Sequence, residues 1–328
     1  MFFGLKQLNA NPCVGLQAII DVCGLRGKEI TTSDIVFKIG PRINASGRMR
    51  SGNEAVELLV SKNLSFAKAK SDCIDQYNQE RKDLDKKTTD DAKDFIQGNE
   101  DFEHRNSIVV YHPEWSKGVI GIVASRLSEL YHKPTIVLTL SNGFATGSAR
   151  SVTGFDIYKA IESCRDLLEN FGGHMYAAGL TMKEDNVSIF TERFDNYVRE
   201  NITEEQTQPQ IDIDAIIRFS DITPKFFNIL QQFAPYGPEN MKPIFATHKV
   251  TDFGSSRLVG KELEHLKLEL TEPNSENVMN GIAFGMGEKF SAHIKDLKPI
   301  DICYTLEENV FNGNKTIQLM IKDMKINE

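Results

Sequence analysis

The chain has 328 residues, 40% apolar and 26% charged, with a formal net charge of −8. This is the composition of a folded globular protein, and the length suggests two domains rather than one. No run approaches the roughly 20 apolar residues that span a bilayer, and the start Met1-Phe2-Phe3-Gly4-Leu5-Lys6 lacks the basic head and long apolar core of a signal peptide. A cytoplasmic location and no membrane partner are therefore expected. The net negative charge excludes a uniformly basic nucleic-acid coat, but not a local basic groove. The first 52 residues carry seven Lys or Arg against three acids.

In chain order, residues 1–60 read as short helices and loops broken by Gly15, Gly24, Gly27, Gly40 and Gly47. Residues 61–96 contain no Gly or Pro. There Phe66, Cys73, Tyr77, Leu84, Thr88, Ala92 and Phe95 recur at helical spacing, which predicts one buried stripe on a long, otherwise solvated connector helix. After a polar stretch at 98–106 the pattern alternates. A buried strand at 108–111 is followed by a helix at 118–131, a strand at 135–140 and its hairpin partner at 144–151. A helix at 155–170, a strand at 177–182 and a helix at 187–201 complete a compact α/β body with a mixed sheet. A polar joint at 203–210 and a helix at 223–233 precede five short strands, at 244–250, 265–270, 278–284, 300–306 and 316–324, the count of a small OB-fold barrel. The fold class is thus multidomain α/β plus β, divided at 1–60, 61–105, 106–203 and 204–328.

Three segments carry phosphate-binding chemistry. In Phe171-Gly172-Gly173-His174, two glycines let an anion approach backbone N–H groups and His174 adds a donor. A helix C-cap leading into a core strand is the commoner reading of a glycine pair alone, and His174 shifts that only modestly. Thr146-Gly147-Ser148-Ala149-Arg150-Ser151 offers hydroxyls and a guanidinium with no acid nearby, against the alternative of a solvated strand end. Pro41-Arg42-Ile43-Asn44-Ala45-Ser46-Gly47-Arg48-Met49-Arg50 has three Arg and an Asn with no carboxylate, against the alternative of an ordinary basic loop.

Other chemistry is not apparent. The five cysteines are odd in number and have no Cys-x-x-Cys spacing, which argues against disulfides or a zinc ribbon; they are expected to pack as small apolar side chains. The seven histidines include no pair one helical turn apart, and Asp212-x-Asp214 lies in an acidic joint, so no metal site and no catalytic residue is assigned. Walker, Gly-x-Ser-x-Gly and His-Glu-x-x-His motifs are absent. Trp115 reads as either a core plug or a base-stacking platform.

Together with Phe3-Gly4-Leu5-Lys6-Gln7-Leu8-Asn9, the run from Trp115 through Lys117-Gly118-Val119-Ile120-Gly121 to Ser125-Arg126, and Pro235-Tyr236-Gly237-Pro238-Glu239-Asn240, these segments resemble the RecJ-type single-strand-specific DNA exonucleases of the DHH phosphoesterase superfamily. The Gly-Gly-His segment alone marks only the DHH-associated domain. The Asn-Ala-Ser-Gly-Arg run and the appended barrel narrow the resemblance to the exonucleases. The resemblance implies a C-terminal portion of such an enzyme, acting in DNA repair and recombination with 5′→3′ polarity.

In the family, Asp-x-Asp, Asp-His-His and further Asp motifs bind two Mn²⁺ or Mg²⁺ ions. That set of motifs is not in this chain, whose Asp-x-Asp spacings stand without an Asp-His-His, so Met1 is expected to follow just after the last of them, as an artificial boundary or the start of a shortened reading frame. The chain alone is then expected to bind no catalytic metal, to be inactive, and to leave residues 1–60 poorly anchored. The resemblance also implies phosphate contacts from Arg42, Asn44 and Arg48, from Ser148, Arg150 and Ser151, and from Gly172, Gly173 and His174. Single-stranded DNA is the implied partner, with single-strand-binding protein as a second. Two further readings remain: a non-catalytic single-stranded-DNA-binding module, and a fragment of a small-RNA or cyclic-dinucleotide phosphodiesterase, which leaves the residues after Pro209 without a role.

Overall fold

A computed structural model describes residues 1–99, 101–287, 298–311 and 313–326. They form two compact units, 1–209 and 210–328.

The first unit opens with α1 (Phe2–Ala10), α2 (Val14–Val22) and α3 (Thr32–Asp34), the last held by a reciprocal cap between Thr31 and Asp34. One π-helical turn, Ile35–Ile39, leads into α4 (Gly40–Met49), and α5 (Asn53–Val60) precedes α6 (Leu64–Gln97). The Arg42–Arg50 run therefore lies largely on a helix and not in a basic loop. Ala18, Ile19, Ile20, Leu25, Ile30, Ile39, Ala55 and Leu58 share one buried core with Ala67 and Ile74 of α6. Residues 14–58 are thus fastened to the long helix by apolar burial, which corrects the expectation of a loosely held segment.

The long helix is present, begun by Asn63, whose Oδ1 accepts from the Phe66 amide at 3.1 Å. Its buried stripe is only partly the one expected, sharing Thr88 and Ala92 with it. Ala67, Ser71, Ile74, Asn78, Asp85, Thr88, Thr89, Ala92 and Ile96 are buried, whereas Phe66, Cys73 and Phe95 are exposed. The helix turns small and polar residues inward because α2 and α4 pack closely on it and because Asn78 and Asp85 meet arginines there. Cysteine packing is likewise only partly as expected. Cys164 and Cys303 are buried, but Cys13 and Cys73 are exposed, and all five thiols are free.

Beyond α7 (Asp101–His104), the α/β body comprises β1 (Ile108–Tyr111), α8 (Ile120–Tyr131), β2 (Thr135–Ser141), β3 (Phe144–Arg150), α9 (Ile157–Glu162), β4 (Leu168–His174), β5 (Ala177–Met182) and α10 (Val187–Asn201). The sheet order is β1-β2-β3-β5-β4, with β1 and β2 parallel and the other pairs antiparallel. Asn142-Gly143, both at positive φ, make the two-residue turn between β2 and β3.

Side chains alternate across this sheet. Ile136, Leu138, Ala145, Ala149, Ala178 and Leu180 pack with Phe190 and Phe194 of α10 on one face. On the other face Ile108, Val110 and Val137 pack with Val123 and Leu127 of α8 and Ala92 of α6. Trp115 belongs to this second core and is 9% exposed, so it is a core plug. The expected helix at 155–170 is cut short at Glu162. After a single 3₁₀ turn the Gly-Gly-His segment ends an edge strand, so it does not cap a helix.

The second unit carries β6 (Ala215–Ile216), α11 (Pro224–Gln231), β7 (Phe245–Asp252), β8 (Arg257–Val259), β9 (His265–Thr271), β10 (Val278–Ala283), β11 (Ile300–Phe311) and β12 (Asn314–Ile326). Strand β9 pairs with β10, β10 runs parallel to β12, β12 pairs with β11, β11 with β7, and β7 returns to β9 through Thr251 and Asp252. This closes a five-stranded OB ring around Leu266, Leu268, Leu270, Leu306, Leu319 and Tyr304. The two short strands β6 and β8, on the flanks of β7 and β9, are absent from the sequence-based reading.

At the centre of this core Thr247 donates to the Ile217 carbonyl at 2.8 Å, leaving its Oγ1 to accept from the Tyr304 hydroxyl at 2.8 Å. Burial pushes the Tyr304 phenol up to about 12. Because the folded chain holds this proton more tightly than the unfolded one, the stabilisation is complete below about pH 10. It is lost as pH rises from there to about 12, by roughly 2 to 3 kcal/mol. Thermal melts of the full chain across that range should show the loss, and Tyr304→Phe should flatten the slope. An unchanged slope in Tyr304→Phe would place the alkaline transition elsewhere.

Candidate phosphate-binding site

Strand alternation aims Ser148 and Arg150, two residues apart on β3, at the face covered by α8. Arg150 donates from Nε to Ser125 Oγ of α8 at 3.1 Å, and from Nη1 to Ser148 Oγ at 2.9 Å and to the Ala149 carbonyl at 2.7 Å. Gly121 permits this approach. A Cβ there would sit 3.0 Å from Ser148 Oγ and 3.1 Å from Arg150 Nη2.

Arg48 reaches the same place from α4. Its Nη1 donates to the Gly118 carbonyl at 3.3 Å, and its own carbonyl would lie 2.4 Å from any Cβ at Gly118. Gly118 therefore lets the two backbones touch. Burial and the neighbouring charge of Arg48 both lower the affinity of Arg150 for its proton. A guanidinium does not deprotonate in response, so an anion seated here would relieve the unfavourable field.

Two arginines outside the sequence-based reading join this cluster. Arg126 of α8 pairs with Asp85 of α6 at 2.8 Å, and Arg81 approaches the same oxygen at 3.5 Å while donating to Asn78 at 2.9 Å. Asp85 is almost fully buried, with its side chain 1% exposed. Burial raises its carboxyl above the usual range although Arg126, Arg81 and Arg48 all oppose that shift. The only sequence signal for Arg126 was its place at the end of the Trp115–Arg126 run. Arg81 and Asp85 were hidden among the many charges of α6.

The sheet register relates the Gly-Gly-His segment to this cluster. Ser148 lies opposite Gly179, which lies opposite Gly172; Arg150 lies opposite Ala177, which lies opposite His174. Directly opposed residues share a face, so His174 is on the Arg150 face, two strands or about 10 Å away. Between them Gly172, Ala177 and Gly179 leave a floor almost without side chains. Its far edge is exposed, and His174 Nδ1 accepts the Tyr176 amide at 3.2 Å.

Gly173 points away from this floor. A Cβ there would come within 2.3 Å of the Ala177 carbonyl, whereas at Gly172 it would meet nothing within 4 Å.

Not every residue expected at the site joins it. Arg42 is turned toward α6, bonded to Asp75 at 2.8 Å and to the Lys38 carbonyl at 2.9 Å. Ser151 donates to the Phe155 carbonyl at 2.6 Å, a bond within the turn after β3. Asn44 makes no hydrogen bond to the cluster among those described, but lies exposed on α4 one turn before Arg48, on the same face.

A separate cavity of about 700 Å³, lined by Leu8, Val14, Ile39 and Ile43, is mainly apolar and distinct from these donors. Among the described residues no three His, Cys, Asp or Glu side chains are grouped to hold a metal ion. The described residues therefore do not fit a Mn²⁺ or Mg²⁺ pair. No helix of the described residues is long and apolar enough to cross a membrane.

Comparison with known proteins agrees with both units. Residues 105–200 match the DHHA1 domain and residues 213–323 the RecJ OB domain. The single-stranded-DNA-specific exonuclease RecJ of Bacillus subtilis (strain 168) is 32% identical over 328 residues, covering 99% of this chain and 41% of that protein. That of Escherichia coli (strain K12) is 29% identical, covering 98% of this chain and 56% of its own length. The crystal structure of RecJ from Thermus thermophilus in complex with Mn²⁺ aligns with 99% of this chain and 46% of its own, at a TM-score of 0.82 and 25% identity. A structure of the same protein in complex with Mg²⁺ aligns equally well, at a TM-score of 0.82. The chain spans about half the length of these relatives. It belongs to the RecJ family, as the counterpart of the C-terminal portion that joins a DHHA1 domain to the RecJ OB domain.

Proposed function

We propose that this chain is the DNA-gripping part of a RecJ-like single-strand-specific exonuclease, and that its α/β body seats a terminal phosphate. The observation that carries the reading is the convergence of Arg48, Ser148 and Arg150 beside a floor of small residues with His174 on the same face. A tetrahedral dianion would supply the counter-charge that the Arg48–Arg150 pair lacks, and a flat floor suits a nucleotide lying along it. The OB unit would separately track single-stranded backbone and bases, as such barrels do. In this reading residues 61–105 serve as the connector, 106–203 as the phosphate-seating domain and 204–328 as the strand-binding domain.

Metal-dependent phosphodiester hydrolysis with 5′→3′ polarity belongs to the same proposal for the whole protein. So do a cytoplasmic location, a part in DNA repair and recombination, and single-strand-binding protein as a partner. A small-RNA or cyclic-dinucleotide phosphodiesterase accounts for the floor but gives the barrel no task.

Titration with fluorescent oligonucleotides tests the proposal. Because the chain carries a net −8 and meets DNA only through a local basic cluster, whose attraction acts within a Debye length of about 8 Å, binding should be weak and salt-sensitive. It should favour single strand over duplex, and an end-phosphorylated strand over an unphosphorylated one. Equal affinity for duplex and single strand, with or without the phosphate, would refute it.

A further inference from the structure

Asp85 has no assigned part in the phosphate cluster, yet it is the only carboxylate among the side chains described within it. It sits on the inner stripe of α6, nearly without solvent, where an apolar residue would cost less to bury. One oxygen, Oδ2, takes Arg126 Nη2 at 2.8 Å and faces Arg81 Nη1 at 3.5 Å, and the Thr89 hydroxyl one turn along α6 also supports the carboxylate. Arg81 is only 12% exposed and is fixed from behind by Asn78. Arg126 is half exposed and directly follows Ser125, whose hydroxyl receives Arg150 Nε at 3.1 Å. A continuous chain of polar contacts and adjacent backbone thus runs from Asp85 through Arg126 and Ser125 to Arg150 and Ser148.

We infer that Asp85 is a positioning residue: it anchors Arg126 and Arg81, and through them sets the geometry in which Ser125, Arg150 and Ser148 meet a terminal phosphate. The inference rests on the phosphate reading above. It is separable from a purely electrostatic role, because the two predict effects of opposite sign. Asp85→Asn keeps the side-chain shape and makes the cluster one charge more positive. If Asp85 merely damps the field, the variant binds phosphate more tightly. If Asp85 positions the arginines, the variant binds more weakly despite the added charge, because the Arg81–Arg126 repulsion is no longer held in check.

The test uses the full chain and single-stranded oligonucleotides with and without a 5′-terminal phosphate. Asp85→Asn is expected to weaken binding of the phosphorylated strand roughly 5- to 10-fold and to leave the unphosphorylated strand within about twofold. Arg126→Ala should give the same selective loss, with a thermal melt alongside to confirm that the chain still folds once buried Asp85 loses this partner. The double variant should lose little more than either single one. Tighter or unchanged binding of the phosphorylated strand, equal loss on both strands, or additive single losses would overturn the inference.

Arginine side-chain NMR without DNA provides an independent readout. The Nε–H signals of Arg126 and Arg150 should be sharp in the unaltered protein, and both should broaden or shift in Asp85→Asn. Signals unchanged by the substitution would also overturn the inference. If the unaltered protein does not distinguish the two strands, the phosphate reading itself has failed, and the NMR result alone judges whether Asp85 orders the cluster.

Discussion

Arg150→Ala is expected to weaken binding of an end-phosphorylated single strand by roughly 5- to 150-fold, equivalent to about 1 to 3 kcal/mol for one charge-assisted contact. The size of the effect follows from how the side chain is held. Three donor bonds to Ser125, Ser148 and the Ala149 carbonyl fix the guanidinium before any ligand arrives, so little rotamer entropy remains to be lost on binding. Burial and the charge of Arg48 make the same group electrostatically unsatisfied when alone, which increases its gain from an anion. Truncation also releases two serine hydroxyls that Arg150 orients. Because backbone charge elsewhere is untouched, the loss should fall mainly on the phosphorylated strand and shrink with added salt. Anisotropy titrations at two ionic strengths measure both features, and an unchanged preference for the phosphorylated strand would remove Arg150 from the site.

Gly173→Ala should destabilise the α/β body by about 1 to 3 kcal/mol, whereas Gly172→Ala should stay within about 0.5 kcal/mol of the parent. The two glycines are neighbours with opposite surroundings. At Gly173 a methyl group would press on the Ala177 carbonyl and come within 2.5 Å of the Ala178 Cα, both backbone atoms of the paired strand that cannot swing aside. Relief requires the end of the β4–β5 ladder to open, and His174, paired with Ala177 at its last step, would leave the Arg150 face. Gly172 faces open space on the floor. A thermal melt should therefore separate the variants by several degrees, with terminal-phosphate binding lost together with stability in Gly173→Ala. Equal melting temperatures would mean that the hairpin end yields without cost.

The interest of the Gly-Gly-His segment was legible in the sequence, but its structural role was not. Two glycines after an apparent helix suggest an anion loop, yet the helix stops at Glu162 and the segment pairs along an edge strand. Local propensity cannot register that, because a strand is completed by its partner, here the small-residue strand β5. The long helix shows the same division. Freedom from Gly and Pro over residues 61–96 specifies a helix by local energetics alone. Which face it buries depends on what packs against it, and the close approach of α2 and α4 selects Ala67, Ser71 and Asn78 over Phe66 and Phe95.

What the sequence by itself determined is what short-range chemistry can specify: the long helix, the hairpin of 135–140 with 144–151, the five main strands of the barrel, and the donors Arg48, Ser148, Arg150 and His174 as groups suited to phosphate. Tertiary structure decided which of those donors meet. It turned Arg42 to Asp75 and Ser151 to its own turn, and it brought in Arg126 from α8 and, from the many charges of α6, Arg81 and Asp85. The physical reason is range. A helix or a turn is stabilised by neighbours within four residues, whereas the contacts of this cluster span 25 residues from Ser125 to Arg150, 41 from Asp85 to Arg126 and 70 from Arg48 to Gly118. Those separations are closed only when the sheet and the long helix pack together.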